Sequence, residues 1–197
     1  MASVVVPFRG TDPKRRLDPV SERDRRRLAE AMLDDVLAAA LDVGPVFVVA
    51  PDPCERPGVT HVPDPRRGQG AAVRAGLDAA AVAAAAPAPY LVVNADLPCA
   101  TARDLLALAG AVPDHGLALA VAADGTTNAL ALSDDALFEP CYGPGSAGRF
   151  SALAPSRNVD APNLVDDVDT LADLARLASR LGPRTRSVLE SLREEAA

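Results

Sequence analysis

The chain has no tryptophan, only 3% aromatic residues, two histidines and three cysteines among its 197 residues. Its interior must therefore be packed on alanine, valine and leucine rather than on rings. Cys54, Cys99 and Cys141 are far apart, and His61 and His115 are isolated. No CxxC or Cys/His spacing exists, which excludes the usual thiolate or imidazole metal centre and the dithiol redox site. No GxxxxGK[ST], GxSxG or strand-linked GxGxxG occurs either, so a P-loop, an acyl-enzyme serine and a dinucleotide fold find no support. There is no internal repeat, and no apolar run is long enough to span a membrane. The first residues lack a charged segment followed by a long apolar stretch, and a cytoplasmic protein without a membrane partner is expected.

Positive charge is the other scarcity. Acidic residues outnumber basic ones, giving a net charge of -7, and Lys14 is the only lysine. A nucleic-acid partner held by bulk electrostatics is excluded, because a phosphate backbone demands a basic face. Any phosphate must instead be captured locally. The preference for arginine and alanine is the usage that a GC-rich bacterial genome produces, and carries no chemistry by itself.

What is present is 49% apolar residues in a regular alternation. Ser3 to Phe8, Pro45 to Ala50 and Tyr90 to Asn94 are short, continuous apolar runs, the pattern of strands buried on both faces. From Ser21, Leu28, Met32, Val36 and Ala40 recur at spacing four, and predict an amphipathic helix of about five turns. Val59 to Val62, Leu117 to Ala122, Asn128 to Ser133 and Arg157 to Asp160 read as further strands, and Gly68 to Ala85, Ala102 to Val112 and Ser146 to Leu153 as helices. Thr101 with Asp104 and Thr170 with Asp173 have capping-box spacing. The second opens a helix whose stripe is Leu171, Leu174, Leu177 and Leu181. Strands alternating with helices predict one α/β domain over residues 1–197, with helices layered on a mainly parallel sheet.

In such sheets ligands collect beyond the carboxyl ends of the strands. Four segments lie there. Asp96, in VVNADLP, is either a ligand for a hard cation such as Mg²⁺ or a strand-end aspartate serving loop amides. In VDDVDT, Asp167 and Asp169 are two apart, so an extended backbone turns both carboxylates to one side. They are either solvated or shared by a cation; together with Asp96 they make a three-carboxylate Mg²⁺ site. The loop after the first strand, PFRGTDPKRRL, gathers Arg9, Lys14, Arg15 and Arg16, a candidate triphosphate clamp with Lys14 as point charge and Arg16 as fork. Finally DGTTN (124–128) and YGPGSAGRF (142–150) offer small residues and exposed amides followed by Ser146 at a helix start, either plain turns or, taken together, a cradle for an anion.

The ordered set VVVPFRGTDPKRRL, AEAMLDDVLAAA, NADLP, DGTTNAL, YGPGSAGRF, VDDVDTLADL and LGPRT, from Val4 to Thr185, resembles the guanylyltransferases that activate a phosphorylated three-carbon acid in the biosynthesis of the deazaflavin coenzyme F-420. The resemblance implies a three-layer nucleotidyltransferase (GT-A-like) fold with a central mixed, mainly parallel sheet flanked by helices. It implies GTP as donor, Mg²⁺ as cofactor, phosphoenolpyruvate or 2-phospho-L-lactate as acceptor, and a downstream transferase that takes the guanylylated product. Asp96, Asp167 and Asp169 match the family's metal carboxylates. Thr127, Gly143 and Ser146 match its acceptor loops, and Lys14 and Arg16 its nucleotide-phosphate cradle. Two positions depart from the pattern: Arg9 stands where a lysine is common, and Gly68-Gln69-Gly70 where Gly-Leu-Asn is frequent. The GC-rich composition suggests an actinobacterial-type host, and in that setting the resemblance favours phosphoenolpyruvate over 2-phospho-L-lactate. Another nucleotidyltransferase, of molybdenum-cofactor or sugar-phosphate type, and a noncatalytic nucleotide-binding protein on the same fold are the alternatives.

Overall fold

The computed structural model describes residues 1–10, 20–83 and 87–195. Its strands are β1 (Ser3–Pro7), β2 (Val46–Ala50), β3 (Val59–Pro63), β4 (Tyr90–Val93), β5 (Leu117–Val121), β6 (Thr127–Leu132) and β7 (Ser156–Asn158). They form one sheet in the order β3-β2-β1-β4-β6-β5-β7. Pairing is parallel from β3 through β4 and between β5 and β7, while β6 runs antiparallel to both β4 and β5. The sheet is thus mixed and mainly parallel, with β1 in its interior.

Val4, Val5 and Val6 of β1 are all fully buried, as a continuous apolar run requires of a strand covered on both faces. Pleating sends Val4 and Val6 to one core with α1 (Glu22–Leu41) and α3 (Ala102–Gly110), and Val5 to the other with α2 (Gln69–Val82) and α4 (Ser146–Ser151). Helix α1 starts where Ser21 Oγ accepts the Asp24 N–H at 3.1 Å, and buries Leu28, Met32, Leu33, Val36 and Leu37. Thr101 and Asp104 close the expected reciprocal cap on α3.

The C-terminal part differs from the sequence expectation. The helix opened by the Thr170–Asp173 capping box, α6 (Leu171–Arg176), stops at Arg176 instead of continuing through Leu181. Leu177 and Leu181 still enter the core shared with α1, but through tight turns that carry the Gly182 N–H to Pro98 O at 2.8 Å. Two further helices lack a clear signal in the sequence pattern: α5 (Pro162–Val165), a single turn, and α7 (Pro183–Glu195). Helix α7 packs on the outside of α1 through Val188, Leu189 and Leu192. Among the described residues no helix is long and apolar enough to cross a membrane.

Candidate active site

Strand β4 runs out into Asn94-Ala95-Asp96-Leu97, with the Asn94 N–H still bonded to Asn128 O at 3.0 Å and Leu97 fully buried beneath. That anchorage fixes Asp96 at the carboxyl end of the parallel strands. The segment 165–170 is brought to it by a backbone bond from Val168 N–H to Asp96 O, 3.1 Å. Val168 is fully buried, so the residues on either side of it, Asp167 and Asp169, turn outward together. Asp96, Asp167 and Asp169 each place one carboxylate oxygen within 4.8 Å of the others, all half-buried. The alternation read from the sequence is what the backbone does.

Neighbouring groups hold these carboxylates in place. Asn128 Nδ2 donates to Val165 O at 2.9 Å and to Asp167 Oδ1 at 3.4 Å. The Asp169 N–H donates to Asp173 Oδ2 at 3.2 Å, so the α6 cap also fixes this loop. Asp166, the remaining aspartate of VDDVDT, faces elsewhere. It is gripped by the guanidinium groups of Arg180 and Arg176. The Arg180 bond leads in holding its carboxyl below the usual range, with Arg176 adding to it and partial burial opposing. Three carboxylates offering hard oxygens in one patch suit a divalent cation that takes oxygen ligands.

A cavity of about 290 Å³ adjoins the carboxylates, lined by Phe8, Arg9 and Gly10 after β1, by Gln69 at the start of α2, and by Asn94, Ala95 and Asp96. It shares Arg9 and Gln69 with a wider cleft that extends past Arg67 and Arg74 to Tyr142 and Gly143. Arg74 is committed to Asp78 and Asp135, both at 2.9 Å, whereas Arg9 and Arg67 have no carboxylate within ion-pair reach among the described residues. The cleft is therefore locally basic in an acidic protein. Lys14 and Arg16 lie outside the described residues.

The acceptor-loop candidates converge, in unequal roles. Gly143 lines the wider cleft. Thr127 and Ser146 are buried against each other: the Thr127 N–H donates to Ser146 Oγ at 2.9 Å, and Ser146 Oγ donates to Thr127 Oγ1 at 3.2 Å. Their hydroxyls fasten the start of β6 to α4, and the Ala147 N–H to Gly125 O bond at 3.2 Å reinforces the junction.

Sequence reading missed an amide chain that crosses the cavity floor: Gln69 Nε2 donates to Asn94 Oδ1 at 2.9 Å, and Asn94 Nδ2 to Thr127 O at 3.4 Å. Its available signal was two amides at element ends beside residues already singled out. The Gly68-Gln69-Gly70 departure also acquires a cause. A Cβ at residue 70 would stand 2.4 Å from Pro140 Cβ, so no larger residue fits there while the amide sits one place earlier.

Residues 21–194 match the MobA-like NTP transferase domain. The chain belongs to that family. A relative named phosphoenolpyruvate guanylyltransferase, from Sphaerobacter thermophilus, is 38% identical over 79% of this chain and 81% of its own length. A 2-phospho-L-lactate guanylyltransferase from Halobacterium salinarum is 37% identical over 94% of this chain and 88% of its own. Among solved structures, 2-C-methyl-D-erythritol 4-phosphate cytidylyltransferase from Thermus thermophilus superposes with a TM-score of 0.59 at 19% identity, covering 90% of this chain and 97% of that one. That likeness speaks for the fold, the GT-A-like nucleotidyltransferase architecture. The resemblance seen in the sequence is borne out.

Proposed function

We propose that the protein transfers GMP from GTP to phosphoenolpyruvate, releasing pyrophosphate, in deazaflavin coenzyme F-420 biosynthesis. The observation that carries the reading is the convergence of Asp96, Asp167 and Asp169, from two separate segments, beside a basic cleft at the carboxyl ends of the strands. The names of the relatives support guanylyl as the group transferred and a phosphorylated three-carbon acid as acceptor.

The acceptor phosphate is anionic at neutral pH and needs no strong base. An oxygen of that phosphate bonds to the α-phosphorus of GTP while the bond from the α-phosphorus to the bridging oxygen breaks, and pyrophosphate leaves with the electron pair. Charge neutralisation and in-line positioning are what such a transfer demands. Asp96, Asp167 and Asp169 would hold Mg²⁺, which when bound supplies Lewis-acid polarisation of phosphate oxygens. Lys14 and Arg16 neutralise the leaving pyrophosphate, and Arg9 contributes charge at the junction of cavity and cleft. Gly143 receives the acceptor phosphate, on a loop whose base is set by the Thr127–Ser146 pair. The product diphosphate passes to a downstream transferase.

The test is pyrophosphate release from GTP and Mg²⁺ with phosphoenolpyruvate, 2-phospho-L-lactate or no acceptor, the downstream transferase being added to remove product. Release that requires phosphoenolpyruvate is expected. Silence with both acceptors, from protein that still binds GTP, would sink the proposal.

A further inference from the structure

Residues 141–145 form a loop whose carbonyls turn to one side chain. Arg149 Nε and Nη2 donate to Cys141 O at 3.2 and 2.9 Å, Nη2 also to Tyr142 O at 3.2 Å and Gly143 O at 3.4 Å, and Nη1 to Pro144 O at 2.7 Å. One guanidinium thus binds four successive carbonyls. A peptide unit is planar and trans, so its N–H points opposite to its C=O. Turning the carbonyls of Cys141, Tyr142 and Pro144 toward Arg149 therefore turns the N–H groups of Tyr142, Gly143 and Gly145 away from it. None of those three N–H groups has a hydrogen-bond partner among the described residues. Backbone φ is +105° at Gly143 and +71° at Gly145, the left-handed region in which a side chain is strained, and this lets the chain curl around the guanidinium. The far end of the loop is pinned by the Tyr142 ring, edge-on to Phe150 with centroids 5.2 Å apart.

We infer that Arg149 is the positioning residue of the acceptor-phosphate subsite: it holds the 141–145 backbone with its N–H groups presented to the phosphate, and places its charge behind them. Successive N–H groups in one concavity make an anion site, and a cation on the carbonyl side strengthens their polarity. Tyr142 and Gly143 line the same cleft as Arg9 and Arg67, so the presented groups face a basic space. A lysine at 149 would supply the charge but not the planar fork that spans four carbonyls. The inference rests on the guanylyl-transfer reading for the identity of the acceptor, though not for the existence of the anion site.

The experiment has two arms. In the first, backbone amide NMR shifts are followed in the whole protein during titration with inorganic phosphate and with phosphoenolpyruvate, for the natural chain, Arg149→Lys and Arg149→Gln. The amides of Tyr142, Gly143 and Gly145 should move in the natural chain, and lose that response in both variants while the rest of the spectrum is kept. In the second, acceptor KM should rise by about tenfold or more in both variants with the GTP KM unchanged, and guanidinium ion should partly restore Arg149→Ala. Amides that move with phosphate in a protein inert toward phosphoenolpyruvate would support the anion site and reject the acceptor. Amides that never move, or an Arg149→Lys variant with unchanged acceptor KM, would overturn the inference.

Discussion

The carboxylate of Asp35 on α1 accepts the backbone N–H of Thr185 at 2.9 Å, across 150 residues of chain, and that of Arg184 at 3.0 Å. A buried carboxylate, 5% exposed, thereby caps the first turn of α7, where Pro183 already has no N–H to satisfy. The approach depends on Gly182, whose absent Cβ would lie 2.3 Å from the Asp35 carboxyl carbon. Gly182→Ala should therefore destabilise the protein by about 1–3 kcal/mol through overpacking. Asp35→Leu should cost a similar amount or more, on the order of 1–3 kcal/mol, by leaving buried donors unpaired. Urea unfolding monitored by circular dichroism measures both; a midpoint unchanged in each would refute the role given to this contact.

Asp169→Asn should reduce guanylyl transfer by at least about a hundredfold, since it removes a charged oxygen from the site that a divalent cation would occupy. Its stability should change little, because Asp169 is half-buried in a loop whose cap is made by Thr170 and Asp173. Pyrophosphate release and a thermal melt, run on the same preparation, separate the two effects. Full Mg²⁺-dependent activity would show that the cluster is not the metal site.

Asp166 should behave oppositely. Its carboxyl is held below the usual range by Arg180 first and Arg176 next. A depressed folded-state pKa contributes stability that is fully present above the ordinary aspartate value, about 3.9, and fades as pH falls through the lowered one. Asp166→Asn should thus be less stable than the natural chain at neutral pH, with the gap closing only in the acid range. Denaturant midpoints measured from pH 7 down to pH 3 test this, and a gap that does not depend on pH would contradict it.

Ser146→Ala should destabilise by about 1–3 kcal/mol, because the buried Thr127 N–H loses its acceptor. The expected signature is a lower unfolding midpoint together with a higher acceptor KM, since the hydroxyl supports the loop from within. A higher KM with unchanged stability would instead mean that the hydroxyl reaches substrate itself.

Gln69 and Gly70 invite a paired exchange. Gly70→Asn alone should be poorly tolerated because of Pro140, and Gln69→Leu should break the amide link to Asn94. Restoring both family residues together should therefore yield protein with a raised GTP KM and reduced stability rather than an improved enzyme. Kinetics and melting of the three variants decide this.

Much of the fold is legible in the sequence because it rests on local physics. Buried strands announce themselves as apolar runs, α1 by its spacing-four stripe, and α3 and α6 by Thr and Asp three residues apart. The same locality makes Asp167 and Asp169 readable as a pair, since alternation along an extended segment is a property of the chain itself. The tertiary structure decided what depends on distant partners. Asp96 joins that pair only because the Val168 N–H bonds to its carbonyl, and Asp166 is excluded because Arg176 and Arg180 claim it. Helix α7 carries a polar sequence whose capping carboxylate, Asp35, lies on another helix. The direction in which a side chain or an N–H points at the end of an element is set by contacts closed across the fold. For that reason the burial of Ser146, the Gln69–Asn94 link and the grip of Arg149 on its loop exist only once the strands are in register.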